Sequence, residues 1–270
     1  MLKRLSKKTI IIALCAMLVI LGVLIAIVVR QGSNNPYGKE VASLITEDEV
    51  SNIGDVLRAA GLSNVDLFET WVYEYLENKG NDFQSDAYSD ADCRLTTMLL
   101  AEQQISCKDA QAYQGDYLMI DVDKLKNDSS FVLLSDNIND FTTIFGEMPI
   151  PAGGFKDALP ENWKKHDIVF NNDNCKIVNL VFQTMDTNEA FVGHTGILVD
   201  CRELSGVEVN SNYLFVEKLA FNDAFMATEL NDPSDLIDIF SQRDDYKTEE
   251  GEAKPIIYLN DEFLGELKLR

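Results

Sequence analysis

Histidine is scarce in this chain: His166 and His194 are the only two in 270 residues. The sequence has no Cys-x-x-Cys pair, no calcium loop, no phosphate loop and no dinucleotide fingerprint. These absences argue against zinc, calcium and nucleotide sites, so neither a metal nor another cofactor is expected. They also leave few side chains that can act as a base near neutral pH.

Basic residues are also in short supply, with 23 Lys and Arg against 45 Asp and Glu and a net charge of −22. The first 30 residues hold five basic and no acidic side chains, so the remaining residues carry −27. A surface this acidic repels phosphate polymers, which excludes nucleic acid as an expected partner. A solvated acidic surface explains this charge more simply than capture of divalent cations does.

One long apolar run stands out, from Thr9 to Val29. Its length is sufficient for a helix that crosses a bilayer core of about 30 Å. Four basic residues precede it, which predicts a cytoplasmic N-terminus and an outward C-terminal part. A cleaved signal peptide is the alternative, but no small-x-small cleavage site follows the run before Arg30. We therefore expect a single-pass protein of the cell membrane that contacts the bilayer through residues 9–29.

This organisation divides the chain into three parts. Residues 1–30 form the basic tip and the anchor, residues 31–45 a polar linker, and residues 46–270 one extracytoplasmic domain. The oligomeric state stays open.

The cysteines beyond the anchor affect any thiol chemistry. Cys93, Cys107, Cys175 and Cys201 could form two disulfides in three ways, and an external compartment permits them. Two disulfides would leave no free thiol.

The first half of the domain has helical patterns. Thr46 and Glu49 form a capping-box signature for a helix to about Ala60, and a second helix is expected between residues 64 and 80. Asp92 can cap a third helix to about Ile105. Residues 106–165 contain short apolar pieces, which we interpret as an insertion that forms one wall of a cleft.

The second half has strand patterns. Strands are expected at residues 167–170, 176–184, 194–201 and 213–219. A helix is expected at residues 233–242 and a final hairpin at residues 255–269. Helices followed by strands predict an α+β fold in which N-terminal helices pack on an antiparallel β-sheet, preceded by one transmembrane helix.

Cys93 is the candidate nucleophile because it lies on the first turn of the third predicted helix. Backbone N–H groups there have no helical partner, and their positive potential lowers the pKa of a thiol. The same groups could stabilise an oxyanion.

His194 is the candidate base, at the start of an apolar strand pattern. Glu217 is the polar residue of the next strand pattern and the preferred orienter of the imidazole, with Asn210 and Asn212 as alternatives. His166 is the alternative base, although its charged neighbours suggest an exposed position. Each residue also has a structural interpretation: a disulfide or buried cysteine, a structural histidine and a surface Glu-Lys pair.

Two stretches resemble the NlpC group of papain-like cell-wall amidases and endopeptidases. His166–Phe170 and His194–Leu198 resemble its "GDLVFF … HVGIYLG" region, and Asp92-Cys93 resembles its nucleophile segment. The resemblance implies Cys93 as nucleophile, His194 as general base and then acid, and Glu217 as orienter. The longer Cys-to-His separation and His166 in place of the first glycine depart from the group's pattern.

A second resemblance covers nearly all of the domain. Residues 93–97, 191–196 and 214–221 are similar to a family of uncharacterised Gram-positive surface proteins that contain a domain of unknown function. The two resemblances together imply an extracellular, papain-like cysteine hydrolase that acts on peptide bonds of the cell wall. A non-catalytic surface or ligand-binding protein on the same scaffold is the alternative.

Overall fold

An antiparallel sheet of eight strands is the main feature of the part of the chain that the computed structural model describes. That part comprises residues 43–78, 91–184, 187–221, 223–248 and 251–268. The strands are β1 Ser43–Leu44, β2 Ile105–Ser106, β3 Met148–Pro149, β4 Val169–Phe170, β5 Cys175–Gln183, β6 Glu189–Asp200, β7 Tyr213–Lys218, β8 Phe225–Leu230, β9 Ile256–Leu259 and β10 Glu262–Glu266. The sheet order is β1-β8-β7-β6-β5-β9-β10 with β3 beside β6, and β2 pairs with β4 separately.

The helices precede or interrupt the strands. They are α1 Glu47–Ala59, α2 Val65–Asn78, α3 Cys93–Ala101, α4 Met119–Asn127, α5 Val132–Ser135, α6 Ile138–Phe145, α7 Ala158–Lys165 and α8 Asp235–Phe240. At the start of α1, Thr46 and Glu49 form both halves of the expected capping box. Two free backbone donors are thereby satisfied, which fixes where the helix begins.

The N-terminal helices cover one face of the sheet. Phe68 of α2 packs edge-on against Phe225 of β8, with ring centroids 5.6 Å apart. All nine residues of α3 are buried, and this helix packs against β6 and β7. Burial of its entire surface means that the start of α3 is held inside the protein, beside the centre of the sheet.

The opposite face of the sheet has a second apolar cluster. Phe240 of α8 packs edge-on against Phe215 of β7, and Leu198 and Ile257 belong to the same cluster. Side chains alternate along a strand, so neighbouring residues of β6 contribute to different faces. Ile197 lies in the first cluster and Leu198 in the second.

The prediction of an α+β fold with helices on an antiparallel sheet is confirmed, but the predicted architecture is wrong in one respect. Among the residues that the structure describes, no helix is long and apolar enough to cross a membrane. The transmembrane part of the predicted fold is therefore not supported. The predicted span, residues 9–29, lies outside the described residues.

Several elements differ from the sequence-based expectation. Strand β6 begins at Glu189 and not at His194, and the unpredicted strand β8 lies between β1 and β7. His166 is buried and follows α7, where its Nδ1 is 2.8 Å from the Asp109 carbonyl oxygen. An exposed position was predicted from its charged neighbours, which gave no indication of this backbone contact.

Candidate functional site

Cys93 is the first residue of α3 and is 4 % exposed. Asp92 caps the helix by accepting a 2.9 Å hydrogen bond from the Leu95 backbone N–H. Burial raises the pKa of the Cys93 thiol to about 12, with a further increase from Asp92, while Arg94 and a backbone hydrogen bond of Thr195 act in the opposite direction. The expected lowering of this pKa is therefore not observed, because desolvation exceeds the effect of the helix start.

Arg94 connects the start of α3 to its surroundings. Its Nη2 is 2.6 Å from Asp92 Oδ2 and 3.2 Å from Asp121 Oδ2, and its Nη1 donates to the Val192 carbonyl oxygen at 3.4 Å. The guanidinium also lies over the Tyr117 ring, 5.2 Å from its centroid. The residue after the cysteine is thus fixed to both α4 and β6.

Asp121 shares this guanidinium with Asp92, and the group contains more negative than positive charge. Burial raises the pKa of Asp121 to about 8, Asp92 raises it further, and Arg94 opposes the increase. The carboxyl groups of Asp121 and Asp92 are within hydrogen-bond reach of each other, which also raises the pKa of Asp121. Asp121 therefore stays mostly protonated near pH 7.

His194 and Glu217 are in direct contact, as predicted from their adjacent strand patterns. Nε2 of His194 is 2.5 Å from Oε2 of Glu217, and both residues are 1 % exposed. Burial lowers the pKa of His194, Glu217 raises it, and Arg243 and Arg94 lower it further. The imidazole is therefore neutral near pH 7.

Glu217 receives a second partner from the segment after α8. Arg243 Nη1 is 2.7 Å from Glu217 Oε2, and Nη2 pairs with Oε1. Burial alone would raise the pKa of Glu217, but the charge and hydrogen bonds of Arg243 and those of His194 lower it to about 2. Glu217 is therefore ionised and acts only as an acceptor, so the proton of the imidazole lies on Nε2.

The thiol lies beside the residue that follows His194, since the Thr195 backbone hydrogen-bonds to Cys93. Cys93 also acts electrostatically on Tyr246, whose ring is 5.5 Å from that of His194 between centroids. Among the hydrogen bonds of the described residues, none joins the Cys93 thiol to the His194 ring. The structure thus brings His194 and Glu217 together and places the Cys93 thiol beside Thr195, the residue that follows His194.

The alternative residues lie elsewhere. Asn210 and Asn212 are exposed and precede β7, whose opposite end carries Glu217. His166 bonds to the Asp109 carbonyl oxygen and has no role at this site. The preference for Glu217 over these amides therefore agrees with the geometry.

All four cysteines beyond the apolar run are free thiols in this structure. Cys175, at the start of β5, matches Cys93 in burial, and burial also raises its pKa to about 12. It provides a matched reference for Cys93. None of the described residues forms a group of three or more His, Cys, Asp or Glu side chains that could hold a metal ion.

Sequence reasoning did not identify the charged partners of the site. Arg243 was not among the candidate residues, yet it is 2 % exposed. Lys218 is fully buried, although a surface Glu-Lys pair was one interpretation of its sequence position. Burial lowers the pKa of Lys218 to about 8, and its Nζ donates to the carbonyl oxygens of Ala220 and Asp223. The only available signal for Arg94 was its position directly after Cys93.

A cleft of about 610 Å³ lies next to the site. Phe182 and Phe191 line it with stacked rings 5.8 Å apart, together with Lys247 on the opposite segment. Phe182 contacts Tyr246, and Phe191 contacts Tyr117, the ring beneath Arg94. These ring contacts form a continuous series from Tyr117, next to Arg94, to Tyr246, next to His194.

Comparisons with known proteins give one match. A model described as a domain of unknown function, DUF4300, matches residues 72–264, which include Cys93, His194, Glu217 and Arg243. No curated protein and no solved structure matches the chain, so the expected likeness to NlpC-type and papain-like proteins is not shown. Because the matched residues make up more than half of the sequence, the chain belongs to the DUF4300 family.

Proposed function

We propose that this protein is a cysteine hydrolase of amide bonds, with Cys93 as nucleophile, His194 as base and Glu217 as the residue that orients the imidazole. One observation carries the proposal. Glu217 holds the His194 ring through Nε2 at 2.5 Å, and the backbone of the following residue, Thr195, contacts the Cys93 thiol. A nucleophile, a base and an orienting carboxylate in this order are the parts that such a reaction requires.

The protonation states favour a neutral pair. The Nε2–H group of His194 donates a hydrogen bond to Glu217, so the other ring nitrogen, Nδ1, has a free lone pair. As the Cys93 sulfur bonds to the substrate carbonyl carbon, Nδ1 takes the thiol proton and then passes it to the leaving amine. Water hydrolyses the resulting thioester by the same route. This sequence needs no preformed thiolate, in agreement with the raised pKa of Cys93.

The start of α3 provides the candidate oxyanion donors. The first backbone N–H groups of a helix have no intrahelical partner, and that of Leu95 is already used by Asp92. The N–H group of Cys93 itself is then the proposed donor to the negative charge that develops on the substrate carbonyl oxygen. Arg94 holds this turn in place through Val192.

The resemblance to NlpC-type enzymes adds a substrate class to the proposal, the peptide bonds of cell-wall stem peptides, and a location outside the cell. The acidic character of the protein requires recognition by shape and hydrogen bonds more than by charge. The cleft beside Phe182 and Phe191 is the proposed approach, and Tyr246 lies between it and His194. Because Cys93 is buried, access of a substrate to the thiol requires side chains around it to move.

A second candidate is a non-catalytic binding protein, and the burial of Cys93 and His194 favours it. Histidines and cysteines that serve only packing are commonly enclosed in this way. If the protein only binds, the cleft beside Phe182 and Phe191 holds a ligand that is not cleaved. The two candidates differ in the effect of losing the thiol.

The test is hydrolysis of stem-peptide fragments of peptidoglycan by the full-length protein, followed by mass spectrometry. We expect cleavage at an amide bond, a loss of at least about 100-fold in Cys93→Ala, and full activity in Cys175→Ala, which removes an equally buried thiol. Binding without cleavage, or equal cleavage by both variants, would show that Cys93 is not a nucleophile.

A further inference from the structure

We infer that Arg243 is a positioning residue of the proposed site: it acts through Glu217, aims that carboxylate at His194 and fixes the imidazole in its neutral form. This inference rests on the proposed function for its catalytic meaning. Its structural content, a guanidinium that decides the state of a histidine, can be measured without a substrate.

The geometry defines one orientation of the Glu217 carboxylate. Both oxygens of Glu217 pair with the two terminal nitrogens of Arg243, a two-point contact that fixes the plane of the carboxylate. Oε2 accepts from both Arg243 Nη1, at 2.7 Å, and His194 Nε2, at 2.5 Å. The guanidinium is itself held over the Phe240 ring and by the Tyr246 hydroxyl oxygen at 3.3 Å.

The charge balance determines the protonation of the imidazole. In the buried group of Arg243, Glu217 and His194, one positive and one negative charge already cancel, so a protonated imidazole would be an uncompensated buried charge. Without Arg243 the same carboxylate would need another cation, and His194 is the group in contact with it. With Arg243 present, the imidazole of His194 stays neutral and can accept a proton. With Glu217 alone, the imidazole would be protonated.

The groups that face His194 come from four elements. Glu217 belongs to β7, Arg243 follows α8, Tyr246 ends the short turn Asp244–Tyr246, and Arg94 belongs to α3. Arg94 also lowers the pKa of His194, but Asp92 and Asp121 already pair with it. Arg243 is thus the cation whose removal frees a carboxylate that contacts the imidazole.

The experiment is a pH titration of the histidine ring nitrogens by NMR in the full-length protein. The chain has two histidines, so His166→Gln assigns both signals. We expect a neutral His194 with the proton on Nε2 in the wild type. In Arg243→Gln its titration should move upward by at least about one pH unit. In the Glu217→Gln background the same substitution should move it much less, because the effect acts through Glu217.

An unchanged His194 titration in Arg243→Gln, or an equal shift with and without Glu217, would overturn the inference. Arg243→Lys provides a second route if Arg243→Gln does not fold: it keeps the charge and loses the two-point contact. The Nε2–H proton resonance of His194 should then shift, and an unaltered resonance would also contradict the inference. If these shifts are seen but the protein cleaves no peptide, the inference about Arg243 is supported and the proposed hydrolase function is wrong.

Discussion

Two buried arginines belong to the candidate site, and the pKa values of the carboxylates that they pair with shift in opposite directions. Arg94 pairs with both Asp92 and Asp121, and the pKa of Asp121 is raised to about 8. Arg243 pairs with Glu217, whose pKa is lowered to about 2. All these groups are buried, so burial alone does not explain the difference.

The number of carboxylates per guanidinium explains it. One buried cation can compensate one buried anion, so a second carboxylate keeps its proton. At the Arg243 group the charges balance and a neutral histidine is added. At the Arg94 group an extra proton is retained beside the nucleophile. His194 is thus next to the balanced ion pair of Glu217 and Arg243. Cys93 is next to the Arg94 group, in which Asp121 can still lose a proton.

The largest expected effect concerns the balanced pair. Glu217→Gln leaves Arg243 as a buried charge without a partner and should lower the free energy of unfolding by about 3–5 kcal/mol. Arg243→Met should lower it less, because His194 can then take up a proton and pair with Glu217. The double variant removes both charges and should be more stable than either single variant. Urea unfolding at pH 7 measures all three. Additive losses in the double variant would show that the two residues do not compensate each other.

A smaller and pH-dependent effect is expected at the unbalanced group. The pKa of Asp121 is raised in the folded state from 3.8 to about 8, so its stabilising contribution is complete below pH 4 and is lost as the pH rises to 8. Asp121→Asn cannot ionise and should avoid this loss. Relative to the wild type, it should gain about 4 kcal/mol of unfolding free energy between pH 5 and pH 9, about 1.4 kcal/mol for each of the three pH units below 8. A constant difference over this range would refute the raised pKa.

A substitution that leaves Arg94 with a single carboxylate, as Arg243 has, tests directly whether the number of carboxylates causes the difference. Asp92→Asn keeps an oxygen that can accept from the Leu95 N–H and leaves one carboxylate for Arg94. Because Asp92 raises the pKa of Cys93, the thiol should react about threefold faster with iodoacetamide at pH 9. Peptide mass spectrometry measures the rate, and an unchanged rate would mean that Asp92 has no electrostatic effect on the thiol.

The smallest effect is expected at an exposed ion pair. Arg202 pairs with Asp200, but its side chain is 53 % exposed, so water screens the interaction. Arg202→Ala should leave the urea midpoint unchanged within error. A loss comparable with that of Arg243→Met would indicate that pairing, and not burial, determines the cost.

The parts of the fold that the sequence predicted are those with local causes. The Thr46–Glu49 capping box, the first helices and the final hairpin depend on neighbouring residues. Strand β8 was missed because a pattern such as Phe225–Leu230 becomes a strand by pairing with β7 and β1. Such pairing depends on tertiary contacts.

The same distinction applies to the site. Glu217 was chosen as the partner of His194 because it is the polar residue in the apolar pattern of the next strand, and in the structure the two side chains are in contact. Arg243 comes from a segment after α8 that packs back on the sheet, 26 residues from Glu217. Nothing in its local sequence indicates that position. The raised pKa of Cys93 follows from desolvation, which depends on the complete packing around α3.

The central claim is that His194 assists Cys93, and the most direct measurement compares the two buried thiols of the same protein. Cys93 and Cys175 both have a pKa raised to about 12, so burial alone predicts equal reactivity. The proposed site predicts that Cys93 reacts with iodoacetamide at pH 7 at least about tenfold faster than Cys175, and that His194→Gln removes this advantage without affecting Cys175. Equal rates for both thiols, with and without His194, would contradict it.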